Sequence, residues 1–180
     1  MIEGDTIILD ASSSCWFLAQ RLPDVPLVVI TNSLHIAMAL GDRAHCKVIC
    51  PGGTLTPVSM SFVGSETQAT LRRYHARRLF LSCRGFDVQR GASDVSEEQA
   101  MVRRVMMEIA DECNLLVDGS KLGQRALSII APPTAFLRII TDTHADPDMC
   151  RTIEQAGLPL IRAEVFSDAH QADMLSDHTP

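Results

Sequence analysis

Seven short β-rich runs separated by helix-like segments constrain this chain more than any other feature. The runs are Thr6–Leu9, Leu27–Thr31, Lys47–Cys50, Arg78–Ser82, Asn114–Asp118, Leu137–Thr141 and Pro159–Arg162. Most are continuous in Val, Ile and Leu rather than alternating, as suits strands buried on both faces. Between them, Cys15–Leu22, Leu34–Leu40, a stretch near Glu66–Tyr74, Glu97–Cys113 and Asp148–Ala156 read as helices. This alternation predicts an α/β fold, a mostly parallel sheet with helices on both faces. A length of 180 residues suits one domain. We expect residues 1–166 to form it and the polar residues 167–180 to be a flexible tail.

In an open α/β sheet, ligands bind beyond the carboxyl ends of the strands. The first run is followed by Asp10-Ala11-Ser12-Ser13-Ser14, and the second ends in Thr31-Asn32-Ser33. The third leads to Gly52-Gly53-Thr54, the fourth to Cys83-Arg84-Gly85-Phe86-Asp87 and the fifth to Asp118-Gly119-Ser120-Lys121. Small, hydroxyl-bearing or charged residues thus converge on one edge of the sheet. Three serines at a helix N-terminus supply amide and hydroxyl donors together with the positive end of the helix dipole. One of them would also serve as the N-cap. Arg84 and Lys121 add cations, and Asp10, Asn32, Asp87 and Glu98 add groups suited to sugar hydroxyls. Glu98 joins the set because helical spacing puts it on the stripe of Val102, Val105, Met106, Ile109 and Cys113. A dipole-complementing role at the first turn is the plainer reading of the same residue. Together these groups describe a small phosphorylated polyol.

Other chemistries find little support. The six histidines show no zinc spacing, and neither G-x-G-x-x-G, Walker A nor G-x-S-x-G occurs, so no metal, cofactor or catalytic residue is assigned. A net charge of −6 argues against docking on nucleic acid by this chain alone. Arg72, Arg73, Arg77 and Arg78 read as a solvated helix face. Charged residues interrupt every apolar run before about 18 residues, and no signal pattern opens the chain. The six scattered cysteines form no C-x-x-C pair. A cytoplasmic, reducing compartment is expected.

Gly4-Asp5-Thr6, Leu9-Asp10-Ala11-Ser12-Ser13 and Val29-Ile30-Thr31-Asn32-Ser33 form a recognisable series. It continues with Gly52-Gly53-Thr54-Leu55, Val63-Gly64, Gly85-Phe86-Asp87, Leu116-Val117-Asp118-Gly119-Ser120-Lys121 and Ile140-Thr141-Asp142. In order and spacing the series resembles the effector-binding domain of DeoR-type bacterial transcription regulators. Residues 9–19 with Ser82-Cys83-Arg84-Gly85 look most like the L-fucose operon regulator branch. Where this family often has a Gly-Thr-Thr triplet, the chain has Ala11-Ser12-Ser13, keeping the hydroxyls but not the glycine.

The resemblance implies a fold related to ribose-5-phosphate isomerase and a domain that senses a sugar phosphate. It implies assembly into a dimer or tetramer, and operator binding through an N-terminal helix-turn-helix that this chain lacks. The rival on the same fold is an active sugar-phosphate isomerase. Such enzymes carry Asp-Gly-x-Asp where this chain has Arg84-Gly85-Phe86-Asp87, and a lysine about ten residues later that is missing here. A scaffold without ligand would have little use for these polar strand ends. Binding without turnover is the expected activity.

Overall fold

The structure is a computed structural model that describes residues 2–164. The expected tail at 167–180 lies outside the described residues.

All seven apolar runs enter one sheet, in the order β12-β11-β9-β6-β1-β2-β3. Its strands are β1 (Thr6–Leu9), β2 (Leu27–Thr31), β3 (Cys46–Ile49), β6 (Ala76–Ser82), β9 (Ala110–Leu116), β11 (Arg138–Asp142) and β12 (Leu160–Ala163). Every neighbouring pair in it is parallel. Alternate β1 side chains feed two cores. Ile7 and Leu9 pack with Cys15, Ala19, Ile36 and Leu40 of helices α1 (Ser13–Gln20) and α2 (Leu34–Gly41). Ile8 joins Leu71, Val102, Met106 and Ile153 of α3 (Ser65–Leu71), α4 (Glu97–Glu108) and α5 (Pro147–Gln155). Helices therefore cover both faces, and the parallel α/β expectation holds.

Five shorter strands escaped the sequence reading. β4 (Thr54–Thr56) and β5 (Ser61–Val63) form a hairpin, while β7 (Gly85–Asp87), β8 (Gly91–Asp94) and β10 (Ser128–Ala131) form an antiparallel sheet. They are only three or four residues long; β4, β5, β7 and β8 mix one or two apolar residues with Gly, Ser, Thr or Asp, and the apolar part of β10 is just Ile129-Ile130-Ala131.

Two other expectations need correction. The helix predicted over 97–113 ends at Glu108, and residues 110–116 are strand. Ile109 and Cys113 continue the helical spacing, but pairing with β6 from Ala76↔Ala110 to Ser82↔Leu116 overrides it. Arg77 and Arg78 lie on β6 rather than on a helix. Arg78 pairs with Asp5 at 2.6 Å and Glu112 at 3.2 Å, and Arg77 reaches Asp5 at 3.4 Å. These pairs sit towards the amino ends of the strands, away from the edge where ligands bind. The Ile2 N–H and both arginines hold the Asp5 carboxyl below its usual range against the opposing effect of burial.

Among the described residues no helix is long and apolar enough to cross a membrane, and no cluster of His, Cys, Asp and Glu suits a metal ion.

Candidate functional site

The strand order reverses between β1 and β6: β2 and β3 lie to one side of β1, and β6, β9, β11 and β12 to the other. A cavity of about 380 Å³ opens at this switch point, beyond the carboxyl ends of β1 and β6. Ser12 and Ser13 line it from β1, Ser82, Cys83 and Arg84 from β6, and Lys121 from the turn after β9. Thr56, Val58 and Ser59 of the β4–β5 hairpin, with Asp94, Ser96, Gln99 and Arg103, complete the wall.

Asp10 organises the floor without facing the ligand space. It is 1% exposed, and its Oδ1 accepts from the Ser12 N–H (3.1 Å) and Oγ (2.5 Å). Its Oδ2 accepts from the Ser82 N–H (3.1 Å) and from Arg103 Nε (2.6 Å). One carboxylate thus pins the loops after β1 and β6 to each other and to α4. Ser12 is the N-cap of α1, its Oγ accepting from the Cys15 N–H at 3.2 Å. With that partner taken, the first two amides of the helix, Ser13 and Ser14, have no protein acceptor among the described residues. They supply the anion-binding pattern of a helix start.

Arg103 is the element that sequence reasoning missed. Its Nη1 also donates to Asp94 Oδ2 at 2.6 Å, so one guanidinium bridges β1 and β8 while lining the cavity. Burial alone would lower its pKa, but the two carboxylates outweigh that and raise it. Asp94 in turn accepts from the Ser96 N–H at 2.9 Å. Three cations, Arg84, Arg103 and Lys121, surround this space against the carboxylates of Asp10 and Asp94. Arg84 makes no ion pair among the described residues. Lys121 Nζ meets Asp118 Oδ2 at 2.6 Å. Burial pushes the Asp118 carboxyl up, but Lys121 and Ser120 carry it below its usual range.

Ser12, Ser13, Arg84 and Lys121, with Asp10 beneath them, therefore meet at one cavity. The other expected residues do not line this cavity. Ser14 contributes its backbone position only. Glu98 is exposed on the first turn of α4. The buried arc of that helix holds Gln99 and Arg103 among its apolar residues, polar side chains that a hydrophobic stripe leaves out. Asp87 caps the β7–β8 turn, accepting from the Gln89 and Arg90 amides and pairing with Arg125 at 2.9 Å.

Thr31, Asn32 and Ser33 tie the end of β2 to its surroundings, with Asn32 Oδ1 left buried and unpartnered. Thr31 Oγ1 accepts from the Ser33 N–H, Ser33 caps α2, and Asn32 exchanges hydrogen bonds with Phe62 of the hairpin. Ser33 also borders a second recess that shares Ser12, Ser13 and Ser59 with the cavity. Gly52 and Gly53 shape the chain entering β4. Gly53 has φ +110°, and a Cβ there would stand 2.1 Å from Thr67 Oγ1. Gly85 has the same kind of role, since a Cβ would come within 2.5 Å of the Gln124 carbonyl.

The family model described as the DeoR C terminal sensor domain matches residues 1–143. The chain belongs to the DeoR C-terminal sensor domain family. This sensor domain is 44% identical over 152 residues to the uncharacterized HTH-type transcriptional regulator YulB of Bacillus subtilis, covering 84% of this chain and 59% of that protein. It is 31% identical over 155 residues to the L-fucose operon activator of Haemophilus influenzae, covering 86% of the chain and 62% of the activator. The chain thus spans about three-fifths of the length of these relatives. Among solved structures, ribose 5 phosphate isomerase A from Neisseria gonorrhoeae overlies 67% of the sensor domain and 47% of its own chain, with TM-score 0.46 and 10% identity.

Proposed function

We propose that this sensor domain binds a phosphorylated sugar in the switch-point cavity. In the whole regulator, occupancy would be read by a DNA-binding helix-turn-helix that controls a sugar-catabolism operon in the cytoplasm. The observation that carries the reading is the meeting of the free α1 amides with Arg84 and Lys121 at one cavity. A phosphate there receives helix-dipole, amide and charge-assisted contacts together. The relatives named as transcriptional regulators, one of them a fucose operon activator, support a role in sugar sensing. The effector domain is expected to assemble as a dimer or tetramer, the usual symmetric arrangement of soluble regulators.

The same cavity offers poor prospects for turnover. Isomerisation needs a carboxylate or similar base free to move a proton. The carboxylate that lines the cavity, Asp94, is held by Arg103, and Glu98 points elsewhere. Burial pushes the Cys83 thiol up to about 12, which leaves it protonated at neutral pH. We therefore assign sensing without chemistry.

Thermal unfolding with a panel of sugars and their monophosphates tests the assignment. At a hundredfold excess over its dissociation constant, the effector should stabilise the domain by about 2.7 kcal/mol. The matching neutral sugar should have little effect. Equal stabilisation by both forms would remove the phosphate from the account.

A further inference from the structure

The two sides of the cavity differ in chemistry. Lys121 and Arg84 follow β9 and β6, whereas the β4–β5 hairpin is fastened to the end of β2. There the Phe62 N–H donates to the Asn32 carbonyl at 2.8 Å, and Asn32 Nδ2 donates to the Phe62 carbonyl at 3.0 Å. Since β6 and β1 separate β9 from β2 in the sheet, the cations and the hairpin flank the α1 N-terminus from opposite sides.

The hairpin wall is uncharged and rich in hydroxyls. Thr56 Oγ1 and Ser59 Oγ lie 2.6 Å apart, and Ser59 Oγ and Ser61 Oγ lie 2.7 Å apart. Gln99 Nε2 donates to Ser59 at 3.0 Å and to Ser61 at 2.7 Å. Both amide hydrogens of Gln99 are thereby used. Its Oε1 has no protein donor among the described residues and is an acceptor left over on a cavity-lining side chain. A second group is also left over: the Oγ of Ser82, a cavity-lining residue only 2% exposed, is buried with no hydrogen-bond partner. Buried polar atoms are nearly always paired, so the lone Ser82 hydroxyl, beside the spare Gln99 Oε1, points to where a ligand's own polar groups belong.

We propose that Gln99 and Ser59 read the hydroxyl-bearing end of the effector, and that the site takes a polyol with a single phosphate and discriminates against bisphosphates. The inference rests on the phosphate reading above and adds the identity of the other end. A second phosphate would bring roughly 1.5–2 further negative charges against a wall whose nearest cation, Arg103, is already committed to Asp10 and Asp94. A site built to hydrogen-bond hydroxyls also discriminates strongly against ligands that lack them.

Calorimetric titration of the 180-residue chain with inorganic phosphate, pentose and hexose monophosphates and a hexose bisphosphate tests this. The best monophosphate should bind at least about tenfold tighter than inorganic phosphate or the bisphosphate. Gln99→Met and Ser59→Ala should each shrink the sugar-over-phosphate ratio about five- to tenfold while changing phosphate affinity by less than about twofold. Ser59 lies in a turn, so its variant keeps the test alive if Gln99→Met does not fold. Lys121→Ala should weaken phosphate and sugar phosphate alike. A bisphosphate that binds as tightly as the monophosphate overturns the proposal. So do Gln99 and Ser59 variants that leave the ratio unchanged. If the wild type binds no phosphate compound at all, the phosphate reading itself fails and this inference goes with it.

Discussion

Replacing Arg103 by Met is expected to cost about 3–5 kcal/mol of folding stability, the usual effect of breaking a buried ion pair by removing one partner. The side chain it leaves fits the space, but Asp10 and Asp94, 1% and 6% exposed, lose their common cation. Asp10 retains the Ser12 and Ser82 donors, while Asp94 retains only the Ser96 amide. Arg103→Lys should recover little, because an ammonium cannot serve both carboxylates in the forked geometry of the guanidinium. Arg103→Met combined with Asp94→Asn should be more stable than the sum of the single changes predicts, since one stranded charge is gone. Urea unfolding midpoints at constant m-value provide the measurement. A loss below about 1 kcal/mol for Arg103→Met would mean that the bridge between β1 and β8 does not hold the floor together.

Lys121→Ala carries the largest expected effect on binding. Lys121 is four-fifths buried beside the cavity and needs only to turn from Asp118 to meet an anion at the α1 N-terminus. A charge-assisted contact of this kind is worth roughly 1.5–3 kcal/mol, so sugar-phosphate affinity should fall about ten- to a hundredfold. Glu98→Gln and Arg72→Ala are the controls. Glu98 is exposed outside the cavity, and Arg72 pairs with Glu108 at 3.0 Å on the surface. Both should leave affinity within about twofold. Calorimetric titration of the three variants, each shown to unfold cooperatively, gives the comparison. Normal binding by Lys121→Ala would move the phosphate to another wall.

The parallel sheet was legible because its strands are buried on both faces and read as unbroken runs of Val, Ile and Leu. The hairpin and the three-stranded sheet were not, since Thr54–Thr56, Gly85–Asp87 and Gly91–Asp94 contain the residues of turns. Helix α4 shows how one pattern both helps and misleads. Its apolar spacing located the helix, extended it wrongly into β9, and selected Glu98 over its neighbour Gln99. The helix buries a wide arc, and within that arc Gln99 and Arg103 are polar because they serve a cavity rather than a core. An arginine embedded in an apolar stripe, one turn after a glutamine, was the available signal. The strand-end rule gathered Ser12, Ser13, Arg84 and Lys121, which the structure brings to one cavity. It also gathered Thr31–Ser33, Gly52, Gly53 and Asp87, which use the same residue types to cap helices and shape turns.

The amide spectrum of the isotope-labelled chain, titrated with the sugar monophosphate that stabilises it most, tests the switch-point cavity most directly. The largest shifts should fall on Ser13 and Ser14 at the start of α1, on Ser82 and Arg84 after β6, and on Lys121 after β9. Shifts gathered instead around Gly4, His45 and Cys46, which border a recess at the amino ends of β1 to β3, would place the ligand on the opposite edge of the sheet and contradict the account.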